Sequence, residues 1–200
     1  MLVLASASPR RRELLSNAGI SFTIRIPNVG EEVEDGENAL TYVQRVAAKK
    51  AAAVNAAPDE VVLAADTVVS VQGSILGKPA SAEDAAAMLR TLSGNTHEVL
   101  TGICLRHGER SVVDVSVTKV RFLPMTEDDI VEYVRSGEPM DKAGAYGIQG
   151  LASRFVESIE GCYFNVVGLP VSLVCQRLRD LGIRISGVPS TEAQQPTAFS

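Results

Sequence analysis

Tryptophan is absent from this 200-residue chain, and histidine occurs twice, as His97 and His107. A multi-histidine metal site is thereby excluded, and any Ser/His/Asp triad would rest on one of these two rings. The three cysteines, Cys104, Cys162 and Cys175, are odd in number and lack the close paired spacing of a zinc site. They read as free thiols of a reducing compartment, not as a disulfide framework. Apolar runs such as Val61 to Ala65 fall far short of the roughly 20 residues that span a bilayer. The opening Met-Leu-Val-Leu-Ala-Ser-Ala has no basic region and too short an apolar stretch for a signal peptide, so a mature cytoplasmic protein without membrane contact is expected. A net charge of −5 provides no overall basic field. Nucleic-acid binding is therefore not expected, and any anion must be gripped locally. Chemistry has to come from carboxylates, lysine and arginine.

What is present alternates between β and α patterns, which points to an α/β protein. Met1 to Ala5 reads as a buried strand, and Ser8-Pro9 opens a helix with serine as N-cap and proline in its first turn. Phe22 to Ile26 alternates as a strand, an acidic loop covers Gly30 to Gly36, and Ala39 to about Ala56 has helical spacing. Val61 to Ala65 is a buried strand that ends at Asp66 or continues through Thr67 to Val71. Ser81 with Asp84 and Thr126 with Asp129 cap two further helices. Glu98 to Leu105 and Ser111 to Phe122 form a hairpin, and Arg154 to Ile159 with the segment around Val166 suggests a second. Pro170 starts a last helix. Residues 1–184 read as a single domain, and residues 185–200, rich in Ser, Thr, Pro and Gln, as a disordered tail.

Three positions carry the chemical signal. Arg10, Arg11 and Arg12 crowd the first turn of a helix whose N-terminus already bears about half a positive charge, a misplacement costing roughly 0.3 to 1 kcal/mol per cation. A bound phosphate would repair it, and a solvated basic patch is the plain alternative. Asp66, directly after an apolar run, is expected at the carboxyl end of a buried strand, where open α/β sheets hold ligands; a turn cap with Thr67 is the rival reading. Glu31, Glu32, Glu34, Asp35 and Glu37 place five carboxylates within seven residues. They form a solvated loop or offer hard oxygen ligands to Mg²⁺. Lys50 and Lys78, taken singly, read as surface lysines, and the G-x-x-x-x-G-K-[ST] phosphate loop is absent.

Five segments, in order, resemble the Maf family of nucleoside triphosphate pyrophosphatases. They are Ser6-Ala-Ser8-Pro-Arg10-Arg11, Ala65-Asp66-Thr67-Val-Val, Gly77-Lys78-Pro79, Leu92-Ser-Gly94 and Gly137-Glu-Pro-Met-Asp-Lys-Ala-Gly-Ala-Tyr-Gly-Ile-Gln149-Gly150. The resemblance covers about residues 2–182. It implies a two-lobed mixed-sheet α/β fold with flanking helices around a central cleft, related to the inosine triphosphate pyrophosphatases. A homodimer and a divalent metal, Mg²⁺ or Mn²⁺, are also implied. By the same resemblance Arg10 and Arg11 hold the triphosphate, with Ser8 and Thr67 in the substrate-binding set. Asp66 is the proton acceptor, and Lys50, Lys78 and Glu31 are further charged site positions; Glu31 and Asp66 would hold the metal. Glu32 competes with Glu31, because the register there rests only on spacing to Glu37 and Tyr42. The Gly-Ile-Gln149-Gly motif resembles the branch that prefers dTTP and UTP. An amide donates and accepts at once, as the O4 and N3–H edge of thymine or uracil requires. A brace for the glycine-rich loop is the other reading of Gln149.

The expected reaction is hydrolysis of dTTP, UTP and modified pyrimidine triphosphates between the α- and β-phosphates. Two rivals stay open at this stage: a nucleotide-binding regulator of cell division, and a nucleotidyltransferase that needs an acceptor.

Overall fold

The computed structural model describes residues 1–183. Strands β1 (Leu2–Ala5), β2 (Phe22–Ile24), β3 (Val61–Val71), β5 (Thr96–His107), β6 (Arg110–Phe122) and β7 (Val156–Glu160) lie in the order β2-β1-β3-β5-β6-β7, and β4 (Ser74–Leu76) pairs with β3. The result is a seven-stranded mixed sheet. β1 runs parallel to β2 and β3, and the remaining pairings are antiparallel. Helices α1 (Pro9–Asn17), α2 (Ala39–Ala52), α3 (Ala82–Leu92), α4 (Glu127–Arg135), α5 (Tyr163–Val167) and α6 (Val171–Asp180) flank it. None is long and apolar enough to cross a membrane.

Two packed regions share this sheet. In the first, Leu2, Leu4, Val61, Leu63 and Ala65 face α1 and α6 through Leu14, Leu15, Val174 and Leu178. Val3, Ala5, Val62 and Ala64 face α2 through Ala47 and Ala51 on the other side. The period-2 alternation of β1 and β3 therefore feeds two cores at once, which is why these strands read as unbroken apolar runs. In the second region Val69, Val71, Val99, Val120 and Phe122 pack on Leu89 and Leu92 of α3 and on Ile130 and Tyr133 of α4.

Most element boundaries follow their local signals. Ser8 caps α1 with proline in the first turn, Ser81 caps α3, and Thr126 and Asp129 close a full capping box on α4. Two expectations fail. Asp66 does not stand at a strand end; the alternative holds, and β3 continues through Thr67 to Val71, paired with β5 residue for residue as far as Ser70. The parallel neighbour is what stops, since β1 pairs with β3 only as far as Ala5 and Ala64, while β4 joins β3 only from Val69. Residues 65–68 thus form an unpaired stretch of strand edge, and this gap is where a ligand can reach the sheet. The second expected hairpin is also absent. Although Tyr163-Phe-Asn-Val-Val is rich in strand formers, it folds as α5. The buried Asn165 amide donates to the Val99 carbonyl and to Thr118 Oγ1, both at 2.9 Å, and these tertiary bonds override propensity. The tail expected at 185–200 lies outside the described residues.

Candidate active site

The strand gap opens into a cleft of about 790 Å³ between the two packed regions, within the roughly 300–1,000 Å³ usual for small-molecule sites. Ser8, Arg10, Arg11, Glu31, Lys50, Asp66, Thr67, Lys78 and Gln149, all expected from the sequence, line it. Residues separated by more than 140 positions in the chain therefore meet in one place.

Lys50 is not a surface lysine. It lies on the buried stripe of α2 with Tyr42, Val43, Val46 and Ala47, and its ammonium donates to Asp66 Oδ1 at 2.7 Å and contacts Glu31 Oε1 at 2.9 Å. The choice between neighbouring acids is thereby made by α2. Tyr42 donates its hydroxyl to the Glu31 carbonyl at 2.7 Å, Arg45 bonds the Glu32 carbonyl at 2.9 Å, and Lys49 bonds the Gly30 carbonyl at 3.0 Å. One helix face thus pins the acidic loop so that Glu31 enters the cleft. Glu34 and Glu37 are spent on Arg45. Among the described residues no group of three or more potential metal ligands forms.

The two paired arginines do different things. Arg11 is drawn into the protein: Nε donates to the Gly168 carbonyl at 2.9 Å, Nη1 to the Ala65 carbonyl at 2.7 Å and to Ser6 Oγ at 3.3 Å, and Nη2 to Thr67 Oγ1 at 3.0 Å. It caps the open edge of β3 and ties α1 to the turn after α5. Burial pulls its pKa down, and the nearby Asp66 and Glu31 carboxylates oppose that shift. One guanidinium hydrogen, on Nη2, remains for a ligand. Arg10 instead reaches across the cleft mouth to Asp141 Oδ2 at 3.1 Å, and Asp141 also takes Lys142 Nζ at 2.6 Å on its other oxygen. Lys78 forms no ion pair among the described residues, and Arg12 is exposed outside the cleft lining.

Gln149 is exposed in the cleft, and its amide has no hydrogen-bond partner among the described residues. It does not brace its own loop. Sequence reasoning missed Ser6, Tyr42, Glu138 and Lys142 as cleft residues. The last two lay inside the quoted Gly137–Gly150 motif, so their place was readable there although their contacts were not.

Beneath the cleft, Tyr146 hydrogen-bonds His97 Nε2 at 2.8 Å. His97 is 1% exposed and its Nδ1 has no partner; burial lowers its pKa to about 4. The unfolded chain takes up this proton near pH 6.5, whereas the native protein resists it until about pH 4. Stability is thus fully present above about pH 6.5 and falls as the pH drops towards 4, by up to about 3 kcal/mol. Denaturant melts of wild type and His97→Gln from pH 7.5 to 4 should show a shallower loss in the variant. Parallel curves would remove His97 as the cause.

Fold and cleft together define an α/β protein whose charged cleft sets arginine and lysine beside a buried acid–lysine pair. The chain belongs to the Maf-like family, whose model matches residues 1–181. Among its relatives, the dTTP/UTP pyrophosphatase of Koribacter versatilis is 49% identical over 183 residues, covering 91% of this chain and 95% of the relative. That of Anaeromyxobacter sp. (strain Fw109-5) is 52% identical over 90% of this chain and 89% of the relative. That of Geobacillus sp. (strain WCH70) is 50% identical over 90% and 98%. A solved nucleoside-triphosphatase / dITP/XTP pyrophosphatase from Mycobacterium abscessus aligns over 90% of this chain and 96% of its own, at 15% identity and a TM-score of 0.44.

Proposed function

We propose that this protein is a nucleoside triphosphate pyrophosphatase that hydrolyses dTTP and UTP, with modified pyrimidine triphosphates, to the monophosphate and pyrophosphate. The observation that carries the reading is the Lys50–Asp66 pair at the strand gap, in one cleft with Arg10, Lys78 and an unpartnered Gln149 amide. The relatives named above carry the same activity in their names.

Lys50 holds Asp66 by Oδ1, and Oδ2 has no protein hydrogen bond among the described residues. That oxygen is free to orient a water for in-line attack on the α-phosphorus and to accept its proton. Arg10 and Lys78 offset the charge that gathers on the departing pyrophosphate. Lys142 joins them once a phosphate displaces Asp141.

A divalent metal fits this donor set in a limited way. Glu31 and Asp66 each give one oxygen to Lys50 and leave the other without a protein partner among the described residues, and the two lone pairs of Asp66 Oδ2 would serve the metal and the water separately. Two such oxygens suit a Mg²⁺ that keeps waters and phosphate oxygens for its remaining positions. When bound, the metal would supply charge neutralisation on the triphosphate. The proposal includes a homodimeric enzyme in the cytoplasm, as the resemblance and the three free thiols suggest. Sedimentation at the monomer mass would overturn the dimer.

The test is product identity. With dTTP or UTP, Mg²⁺ and no acceptor, phosphorus NMR should record monophosphate and pyrophosphate, and a chelator should stop the reaction. Orthophosphate with a nucleoside diphosphate would sink the reading, and a strict need for an acceptor would make the protein a transferase. Gln149→Ala should narrow the preference for dTTP and UTP over CTP and GTP by about 1 to 3 kcal/mol in kcat/KM. An equal fall for all four nucleotides would deny it base recognition.

A further inference from the structure

Since Gln149 does not hold its own loop, something else must. The turn that carries it runs from Gly147 to Gly150, closed by the Gly150 N–H on the Gly147 carbonyl at 3.1 Å. Both ends of this turn lead to one carboxylate. At the far end the Leu151 N–H donates to Glu138 Oε2 at 2.9 Å. At the near end the Gly147 N–H donates to the Tyr133 hydroxyl at 3.2 Å, and that hydroxyl donates to Glu138 Oε1 at 2.9 Å. Tyr133 is wholly buried in the second core, so the relay is anchored to α4.

The glycines of the motif agree with this arrangement. A Cβ on Gly150 would run into the Glu138 carboxylate, and a Cβ on Gly147 into the aliphatic chain of Lys142. Lys142 is itself tethered by its ammonium to the Glu138 carbonyl at 2.7 Å. The loop is thus wrapped tightly around Glu138, and a side chain on either flank of Ile148-Gln149 would have to displace the Glu138 carboxylate or the end of Lys142.

We infer that Glu138 is the positioning residue for base selection: through Leu151 directly and Gly147 by way of Tyr133, its carboxylate fixes the turn that aims the Gln149 amide into the cleft. The inference rests on the proposed reading of Gln149 as the group that meets the base. Holding a side chain to a fraction of an ångström usually depends on such a second layer of bonds. The glutamate need not touch the substrate.

The experiment compares kcat/KM for dTTP, UTP, CTP and GTP in wild type, Glu138→Ala, Glu138→Gln, Tyr133→Phe and Gln149→Ala. Glu138→Ala should lower the ratio of dTTP and UTP to the other two about tenfold, with little change for CTP and GTP. Glu138→Gln keeps an acceptor for the Leu151 N–H and should restore part of that ratio. Tyr133→Phe cuts only the Gly147 arm and should fall between wild type and Glu138→Ala. Because Glu138 acts through Gln149, the double variant Glu138→Ala/Gln149→Ala should be no less selective than Gln149→Ala alone. Hydrogen exchange gives a readout independent of turnover: the Leu151 and Gly147 amides should exchange faster in Glu138→Ala. Unchanged selectivity, unchanged exchange at these amides, or an equal fall for all nucleotides would each overturn the inference. If Glu138→Ala fails to fold, Tyr133→Phe and Glu138→Gln carry the same comparison. A wild type without base preference would remove the reading of Gln149 and this inference together. That result differs from a selective wild type whose Glu138 variants stay selective.

Discussion

Asp66→Asn should lower turnover by about 10²-fold or more, the share that a positioned acid or base usually contributes, while nucleotide affinity and the fold persist. The fold survives because Lys50 keeps its contact with Glu31 at 2.9 Å and an amide of equal size still accepts from the lysine. Single-turnover rates with bound dTTP, beside equilibrium binding of a non-hydrolysable analogue, separate the two effects. Turnover near wild type in a folded variant would strip Asp66 of its role.

Lys50→Met should be worse for the protein as a whole. Asp66 is 6% exposed and Lys50 8% exposed, and deleting one partner of such a pair leaves a buried charge uncompensated, at a cost of about 3 to 5 kcal/mol. Here the loss is compounded because Glu31 and Asp66 would face each other with no cation between them. Denaturant unfolding should show this loss, together with a fall in turnover. Asp66→Asn/Lys50→Met should recover part of the stability, since the double variant no longer buries an unpaired carboxylate. A Lys50→Met protein within 1 kcal/mol of wild type would mean that water already shields the pair.

What the sequence conveys about these residues and the rest of the fold depends on the range over which each signal acts. Signals that act within one turn were legible: Ser8-Pro9, Ser81 with Asp84, and Thr126 with Asp129 each marked a helix start found in place. The quoted motifs also named the cleft residues Arg10, Asp66, Lys78 and Gln149, and the family resemblance added Lys50. Long-range bonds were not legible. The spacing of Val43, Val46, Ala47 and Lys50 sets Lys50 on an apolar helix face, but nothing local shows that its ammonium meets Asp66 and Glu31, nor that the Asn165 amide reaches Val99 and Thr118. The apolar run before Asp66 shows where one strand's own pattern breaks and leaves its continuation to Val71 as an alternative, but it cannot show where the neighbouring strand stops. The ligand gap arises from the length of β1, a different strand. Arg10 and Arg11 look equivalent in the chain, yet one helix turn sends the first across the cleft mouth and the second into the sheet edge.

Strands β3 and β5, of 11 and 12 residues, pass through both packed regions without a break. Each region therefore borrows half of every central strand from the other. Neither is a module that could be expressed, transplanted or lost alone, and a chain cut between residues 71 and 96 would leave β3 without β5 in one fragment and β5 without β3 in the other. The cleft floor is correspondingly one continuous sheet and not a joint between hinged bodies.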